Sequence, residues 1–167
     1  MYQIDETVLY GVNGICTITD IEEKKIDKVI KKYYVLKPVY NKASTLYVPV
    51  DNEILLAKMR KILSKDEIFQ LIDTINGEDL IWIDNEQERN RKYSEILKSG
   101  DRREIMKMIR SLYIHRQKIK DTGRKFHVAD EKIMRAAESI LHEEFAYVLD
   151  IKREQVTDFI VEHLQVS

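Results

Sequence analysis

Apolar and polar residues alternate along the first sixty residues with the period of two that β-strands show. In the segment TLYVPVD, Leu46, Val48 and Val50 fall on one side, and polar or aromatic residues fall on the other. The segment ICTITDIEE alternates in the same way, and KKYYVLKPV is a nearly continuous run of β-branched and aromatic residues. These patterns predict short strands.

Turn residues separate the predicted strands. YGVNG supplies Gly11 and an Asn13-Gly14 pair, and NKAS lies between the two later strands at hairpin length. Pro38 and Pro49 have no N–H to donate to a neighbouring strand, so each should lie at a strand end, an edge or a bulge. Together these residues indicate a small, strongly bent antiparallel sheet.

From residue 64 onward the apolar residues recur with the period of a helix. SKDEIFQLIDTI begins with a capping box, in which Ser64 is the N-cap and Glu67 follows three residues later, and Gly77 ends the helix. Further helices are predicted over about 86–98, ended by Ser99-Gly100, then from Asp101 to the loop KDTGRKF, over about 128–149 and over about 152–164. In the helix that begins at Asp101, the predicted inward residues are Ile105, Met108, Ile109, Leu112 and Tyr113. In the helix over about 128–149 they are Ile133, Ala136, Ala137, Ile140 and Leu141, and in the helix over about 152–164 they are Val156, Phe159, Ile160 and Leu164.

The chain divides where this period changes, without an internal repeat or a low-complexity linker. We predict an α+β protein in which residues 1–60 form a small bent β-domain and residues 61–167 form an all-α domain of about five helices. With 167 residues, 44% of them apolar, the chain is long enough to fill two small cores.

Cysteine usage and hydropathy indicate the cellular setting. The single Cys16 excludes an internal disulfide and, without a second Cys or a His pattern, disfavours a structural zinc site. No segment approaches the roughly eighteen apolar residues that a membrane span needs. The segment MYQIDETVLY has acids where a signal peptide has bases. We expect a folded protein of the reducing cytoplasm that has no membrane contact.

Side chains that could support catalysis are sparse. The four histidines are scattered, HEEF lacks the second His of a zinc-protease motif, and the glycines never cluster into a phosphate loop. Glu143 and Glu144 are adjacent and face different directions on a helix, and Cys16 lies in a predicted strand as a packed thiol. We predict no catalytic residue, no metal site and no cofactor.

The charges are segregated although the net charge is only −1. Residues 89 to 125 carry thirteen Lys or Arg against four acids, a local charge of +9. The segments before and after this block each carry −5. Such a block is either a solvated helix surface or a surface that binds phosphate.

Five side chains of the basic block form a candidate DNA contact. Arg103, Lys107 and Arg110 share the outer side of the predicted third helix, and Arg124 and Lys125 lie in the loop that follows. They would bind phosphates without reading base sequence. Because the whole chain is slightly acidic, we expect weak binding to free DNA, which a tether to another DNA-bound protein would strengthen.

The only tryptophan, Trp82, stands in LIWIDNEQERNRKY, where no apolar residue follows Ile83 until Tyr93. Two interpretations stay open. Trp82 packs into the helical core beside Ile81 and Ile83, or it lies at the surface beside the basic helix, where an aromatic wedge between base steps would have to stand.

Several segments, taken in order, resemble the CarD family of bacterial RNA-polymerase-binding transcription regulators. The β-rich half contributes DETVLYGVNGICTITDIEEKK, KYYVLKPV and LYVPVDN, and the helical half contributes RKYSEILKSGDRREIMKMIRSLY and DEKIMRAAESILHEEFA. The resemblance covers nearly the whole chain, and its specificity comes from the order of the segments.

This resemblance implies a Tudor-like β-domain that docks on the β subunit of RNA polymerase. It also implies a helical domain that contacts promoter DNA at the upstream edge of the melted bubble and stabilises the open complex without being an enzyme. Lys24 and Lys25 match the first basic contact of the family with polymerase. Tyr47 stands before Val48-Pro49, where relatives often carry a basic residue, and is the second candidate contact.

For the DNA contact, the resemblance implies a Trp that wedges at the minor groove. Relatives carry this Trp four residues before a Tyr within the start of a basic helix. Here Trp82 precedes Tyr93 by eleven residues, and Arg89 stands four residues before Tyr93. The implied DNA-binding set is therefore Trp82, Arg89, Arg91, Lys92 and Tyr93, in addition to the five basic side chains above.

Two other classes of function remain as alternatives. In the first, the β-domain binds peptides and the helical domain binds another protein rather than DNA. In the second, the chain is a small enzyme. For the polymerase-binding interpretation we expect a monomer on the polymerase, located in the bacterial cytoplasm and associated with the nucleoid through polymerase.

Overall fold

The computed structural model describes residues 1–164, and the chain forms two compact units that divide between Leu63 and Ser64. The first unit is a five-stranded antiparallel sheet and the second is helical, which confirms the predicted α+β class. The last strand lies at Met59–Lys61 and keeps the chain in the first unit beyond residue 60. The end of the predicted helical domain, residues 165–167, lies outside the described residues.

Five strands form the sheet of the first unit. They run in the spatial order β4-β3-β2-β1-β5, so β4 and β5 are its edges. A short 3-10 helix follows β1, and helix α1 at Glu53–Leu56 precedes β5. Pro38 and Pro49 are the last residues of their strands, as their missing N–H predicts. The strands are Thr7–Tyr10 (β1), Ile15–Ile26 (β2), Val29–Pro38 (β3), Leu46–Pro49 (β4) and Met59–Lys61 (β5).

The long hairpin of β2 and β3 is the largest feature of this unit. Its register shifts between Ile18 and Asp20, where a bulge reverses which side chains face the core. Asp27 and Lys28 make the turn with φ of 50° and 67°, the left-handed values that a two-residue turn needs in order to match the twist of the strands.

The core of the first unit lies on one face of the sheet. Strand alternation brings the inward side chains of all five strands together, and Tyr2, Leu55 and Leu56 pack against them from outside the strands. Cys16 is fully buried in this core, which confirms the prediction of a packed thiol. The core consists of Val8, Cys16, Ile18, Tyr34, Leu36, Val48 and Met59.

Five helices form the second unit, and their ends follow the capping residues seen in the sequence. Ser64 and Glu67 make the predicted capping box, and Asp101 accepts hydrogen bonds from two backbone N–H groups at the start of α4. Gly100 ends α3 with φ of 65°, which a glycine adopts without steric cost. The helices are Lys65–Asn76 (α2), Glu86–Ser99 (α3), Arg102–Asp121 (α4), Val128–Leu149 (α5) and Arg153–His163 (α6).

Helix α4 buries the apolar face that its periodicity predicts. All five predicted inward residues of α4 are buried, and each such side chain contributes about 1.5–3 kcal/mol by leaving water. In α6 the predicted Val156 and Ile160 are buried, as is Leu164 directly after the helix. Phe159 is half-buried and contacts Phe69 of α2 edge to face.

The predicted inward face of α5 is wrong in part. Ala136 and Ile140 are exposed and Ile133 is half-buried. Instead, three acids of α5 lie inward beside its apolar residues, because α3 and α4 offer donors to each of them. Arg89 binds Asp130, Tyr113 binds Glu138 and Arg102 binds Glu144.

Candidate functional site

Trp82 lies in the segment that joins α2 to α3, and polar groups hold its indole from several sides. The ring stacks on the imidazole of His115 in α4, with ring centroids 3.5 Å apart and an interplanar angle of 18°. The guanidinium carbon of Arg89 lies 4.3 Å from the indole centroid. The indole N–H donates to Oδ1 of Asp84 at 3.0 Å. Trp82 is half-buried, so it is not one of the fully buried residues of the apolar core.

Arg89 is a buried anchor rather than an exposed base. Its side chain is 2% exposed and binds Asp130 through two parallel hydrogen bonds, from Nε to Oδ1 at 2.9 Å and from Nη2 to Oδ2 at 2.8 Å. Its Nη1 donates to the carbonyls of Ile83 at 2.8 Å and Asp84 at 3.3 Å. The expectation that Arg89 is free to contact DNA therefore needs correction, because its donors are bound inside the protein.

Tyr93 is also buried, and its side chain binds the backbone of the same segment. Its hydroxyl donates to the carbonyl oxygen of Ile81, and the N–H of Ile81 donates to Oγ of Ser111 in α4 at 2.9 Å. Burial raises the pKa of Tyr93, so the hydroxyl keeps its proton and remains a donor. The expectation of an exposed Tyr93 needs the same correction as that of Arg89.

We call residues 81–84 the Trp82 loop. Its carbonyls at positions 81, 83 and 84 each accept a hydrogen bond from a side chain of α3. The family resemblance predicted that Arg89 and Tyr93 contact DNA. In the structure both side chains instead bind the backbone of the loop that carries Trp82. An aromatic ring on a loop fixed in this way is preorganised for contact with a ligand.

The three bases predicted on the outer side of α4 do converge, and they converge on Glu78. Arg103 pairs with Oε1 of Glu78, Lys107 Nζ lies 3.0 Å from Oε2, and Arg110 donates to the Glu78 backbone carbonyl at 3.1 Å. Hydrogen bonds from Arg103, then from Lys107, lower the pKa of Glu78 and keep it ionised. One acid thus offsets part of the positive charge of this patch and ties α4 to the segment before the Trp82 loop.

The other predicted bases are exposed. Arg91 and Lys92 lie in the middle of α3, and Arg124 and Lys125 lie in the segment between α4 and α5. Arg91 is two residues after Arg89, so helical geometry places it on the side of α3 opposite the buried Arg89, and Lys92 is exposed beside it. These four side chains, together with the exposed Arg103, are the accessible part of the predicted phosphate-binding set.

In the first unit, the structure brings two of the three predicted polymerase contacts together. Lys24 Nζ lies 3.5 Å from the centroid of the Tyr47 ring, and Tyr33 packs edge-on against that ring at 6.4 Å. Lys24 is half-buried, whereas Tyr47, on edge strand β4, is 44% exposed. Lys25 is the next residue of β2 and projects from the opposite face of the sheet. We call Lys24, Tyr33 and Tyr47 the Lys24–Tyr47 surface.

Sequence reasoning missed several residues of the Trp82 site. His115 and Ser111 are one turn apart on α4, so a helical projection could have placed both towards one neighbour. Nothing in the sequence marked Asp130 as the partner of Arg89, because an acid in the first turn of a helix ordinarily stays solvated beside the helix dipole.

Across residues 1–164, no cluster of His, Cys, Asp and Glu side chains is arranged to hold a metal ion. Within the same range, no helix combines the length and apolar character needed to cross a membrane.

Two protein-family models match the chain, one for each structural unit. Residues 2–63 match the model described as CarD-like/TRCF RID domain, and residues 70–161 match the model described as CarD, C-terminal domain. No individual curated protein matches the chain at a significant level. Each matched range lies within one of the two compact units.

Proposed function

The chain belongs to the CarD family of RNA-polymerase-interacting transcription regulators, and from that premise we propose that it stabilises promoter open complexes. In this proposal the sheet unit docks on the β subunit of RNA polymerase. The helical unit contacts promoter DNA at the upstream edge of the bubble, and the protein acts without catalysis as a monomer on cytoplasmic polymerase.

The observation that carries the proposal is the immobilised, partly exposed Trp82. A wedge between base steps must offset the cost of unstacking them, which is about a few kcal/mol per step. A ring that is already ordered by Arg89, Asp84 and His115 loses little further conformational freedom on binding. Trp82 is therefore suited to this contact, although it lies eleven residues before Tyr93.

Phosphate contacts complete the proposed DNA surface. Arg91 and Lys92 follow the Trp82 loop on α3, and they are exposed. They supply charge without base recognition, and Arg124 and Lys125 are a second pair of exposed bases. With a net charge of −1, the protein binds free DNA weakly, and the polymerase contact supplies the effective concentration.

The proposed docking site on polymerase is the Lys24–Tyr47 surface. Its exposed aromatic ring belongs to β4, an edge strand of the sheet, and Lys24 lies beside that ring. Edge strands are a common place for a partner segment to add to a sheet. Tyrosine is one of the residue types enriched in interface hot spots, and Tyr47 is the exposed ring of this surface.

The proposal is tested by timing the decay of promoter open complexes after a competitor such as heparin is added, with and without the full chain. The lifetime should increase when the protein is present, because it binds the open form more tightly than the closed form. An unchanged lifetime at saturating protein would contradict the proposal. The rival proposal, a helical unit that binds another protein, predicts no dependence on the DNA upstream of the bubble.

Reversing the charge of Lys24 should weaken capture of the polymerase β subunit. In Lys24→Glu, the cation beside Tyr47 becomes an anion, and we expect a loss of affinity of about tenfold, which corresponds to about 1.4 kcal/mol. Lys25→Glu is the matched control, since it makes the same charge change on the same strand but on the opposite face. Equal losses for the two variants would show that the Lys24–Tyr47 surface is not the docking site.

Removing Arg91 and Lys92 should weaken binding to duplex DNA to a similar degree for unrelated sequences. The double alanine variant removes two phosphate contacts, so the slope of log K against log salt should become less steep by up to about 2. Lys132→Ala with Arg135→Ala, on the exposed side of α5, removes the same charge elsewhere and serves as control. A loss confined to one DNA sequence, or an equal loss in the control, would contradict this assignment.

A further inference from the structure

Helix α4 holds the Trp82 loop at two points one helical turn apart. Ser111 accepts the hydrogen bond of the Ile81 N–H, and His115 stacks on the indole of Trp82. Of these two residues, His115 contacts the indole ring, whereas Ser111 binds the backbone of the loop. An interplanar angle of 18° and a centroid distance of 3.5 Å amount to full face-to-face contact, which restricts rotation of the indole about its side-chain bonds.

We propose that His115 is a positioning residue for Trp82, and that its stacked imidazole fixes the indole in the orientation used to contact DNA. This inference rests on the proposed function, because it specifies how the ring assigned to the DNA contact is held. His115 does not itself touch DNA in this proposal. It acts through the ring that it supports.

The charges around His115 favour its neutral form. Arg89 on α3, Asp130 on α5, Asp84 in the Trp82 loop and Lys118 on α4 surround it. Burial lowers the pKa of His115, the positive charge of Arg89 lowers it further, and the two acids act in the opposite direction. The imidazole is therefore neutral at pH 7, since an unperturbed His titrates near about 6.5.

The sign of the pH dependence follows from this lowered pKa. Below about pH 6.5 the unfolded chain binds a proton at His115 more readily than the folded protein does, so folded stability falls with acidification. Protonation would also place a second positive charge close to the Arg89 guanidinium, and the repulsion between the two charges opposes the compact arrangement around the indole. Acidification should therefore loosen the stack.

Intrinsic fluorescence can test the stack directly, because Trp82 is the only tryptophan in the chain. In the full chain, His115→Ala should shift the emission to longer wavelength and increase quenching by acrylamide. His115→Phe keeps an aromatic ring and should preserve the wild-type emission at neutral pH. The wild type should show a quenching step with a midpoint below about pH 6.5, and both variants should lack it.

The functional test compares open-complex lifetimes for His115→Ala, Trp82→Ala and the double variant. His115→Ala should shorten the lifetime about two- to tenfold, the size that an aromatic stacking contact supports, and His115→Phe should restore it. In the Trp82→Ala background, loss of His115 should have no further effect, because nothing remains to position.

Failure of the inference and failure of the proposed function give different results. If Trp82→Ala leaves the lifetime unchanged, the proposed DNA contact is wrong and this inference falls with it. If Trp82→Ala shortens the lifetime while His115→Ala does not, the inference alone is wrong. An equal effect of His115→Ala in both backgrounds, or an emission spectrum that His115→Ala leaves unchanged, also overturns it.

Discussion

Replacing Asp130 with alanine should lower the free energy of unfolding of the helical unit by about 3–5 kcal/mol, the cost of leaving a buried charge without its partner. Arg89 is 2% exposed and Asp130 is fully buried, so water cannot replace the lost carboxylate without disturbing the packing of α3 against α5. Urea denaturation followed by Trp82 emission measures this change, because that ring lies in the helical unit.

A double variant separates the charge effect from simple loss of packing. Arg89→Met with Asp130→Leu removes both charges and fills the space with apolar atoms, so it should recover most of the lost stability. It also removes the donors to the Ile83 and Asp84 carbonyls, so the Trp82 emission should remain altered. A cost below about 1 kcal/mol for Asp130→Ala would mean that the pair is solvated, as surface pairs are.

Replacing Trp82 with alanine should have its largest effect on promoter complexes and a small one on folding. We expect the open-complex lifetime to fall by about tenfold or more, because the wedge offsets an unstacking cost of about a few kcal/mol. The free energy of unfolding should fall by only about 1–2 kcal/mol, since a half-buried ring loses one stacking and one cation–π contact.

The contrary outcome is a loss of about 3–5 kcal/mol of stability, which is typical when a large aromatic side chain is removed from a core. In that case the lifetime should fall only in proportion to the unfolded fraction. Arg91, Lys92, Arg124 and Lys125 would then be the remaining candidates at the bubble edge. Trp82→Phe is the matched variant, because it keeps an aromatic ring while losing the hydrogen bond to Asp84.

The sequence was sufficient for those parts of the fold in which local rules and tertiary packing agree. The capping box of Ser64 and Glu67, the end of α3 at Gly100 and the buried face of α4 all depend on residues close together in the chain. Strand ends at Pro38 and Pro49 follow from the chemistry of a single residue type. Such features need no knowledge of distant partners.

The candidate site was less predictable because its interactions join distant segments. Arg89 and Asp130 are 41 positions apart, and the sequence around each of them, taken alone, indicates a solvated charge. The inward face of α5 was misassigned for the same reason, since periodicity counts Glu138 and Glu144 as outward positions. Glu78 likewise gives no local sign that three bases of α4 converge on it.

The contacts of Arg89 also restrict how this position can change in evolution. Four acceptors surround its guanidinium, two on Asp130 and two on the backbone, and its guanidinium carbon lies over the indole of Trp82. A lysine would keep the charge, but its three donors radiate from one nitrogen and cannot reproduce the planar fork. Arginine is therefore required here for its geometry, and across homologous sequences positions 89 and 130 are expected to covary.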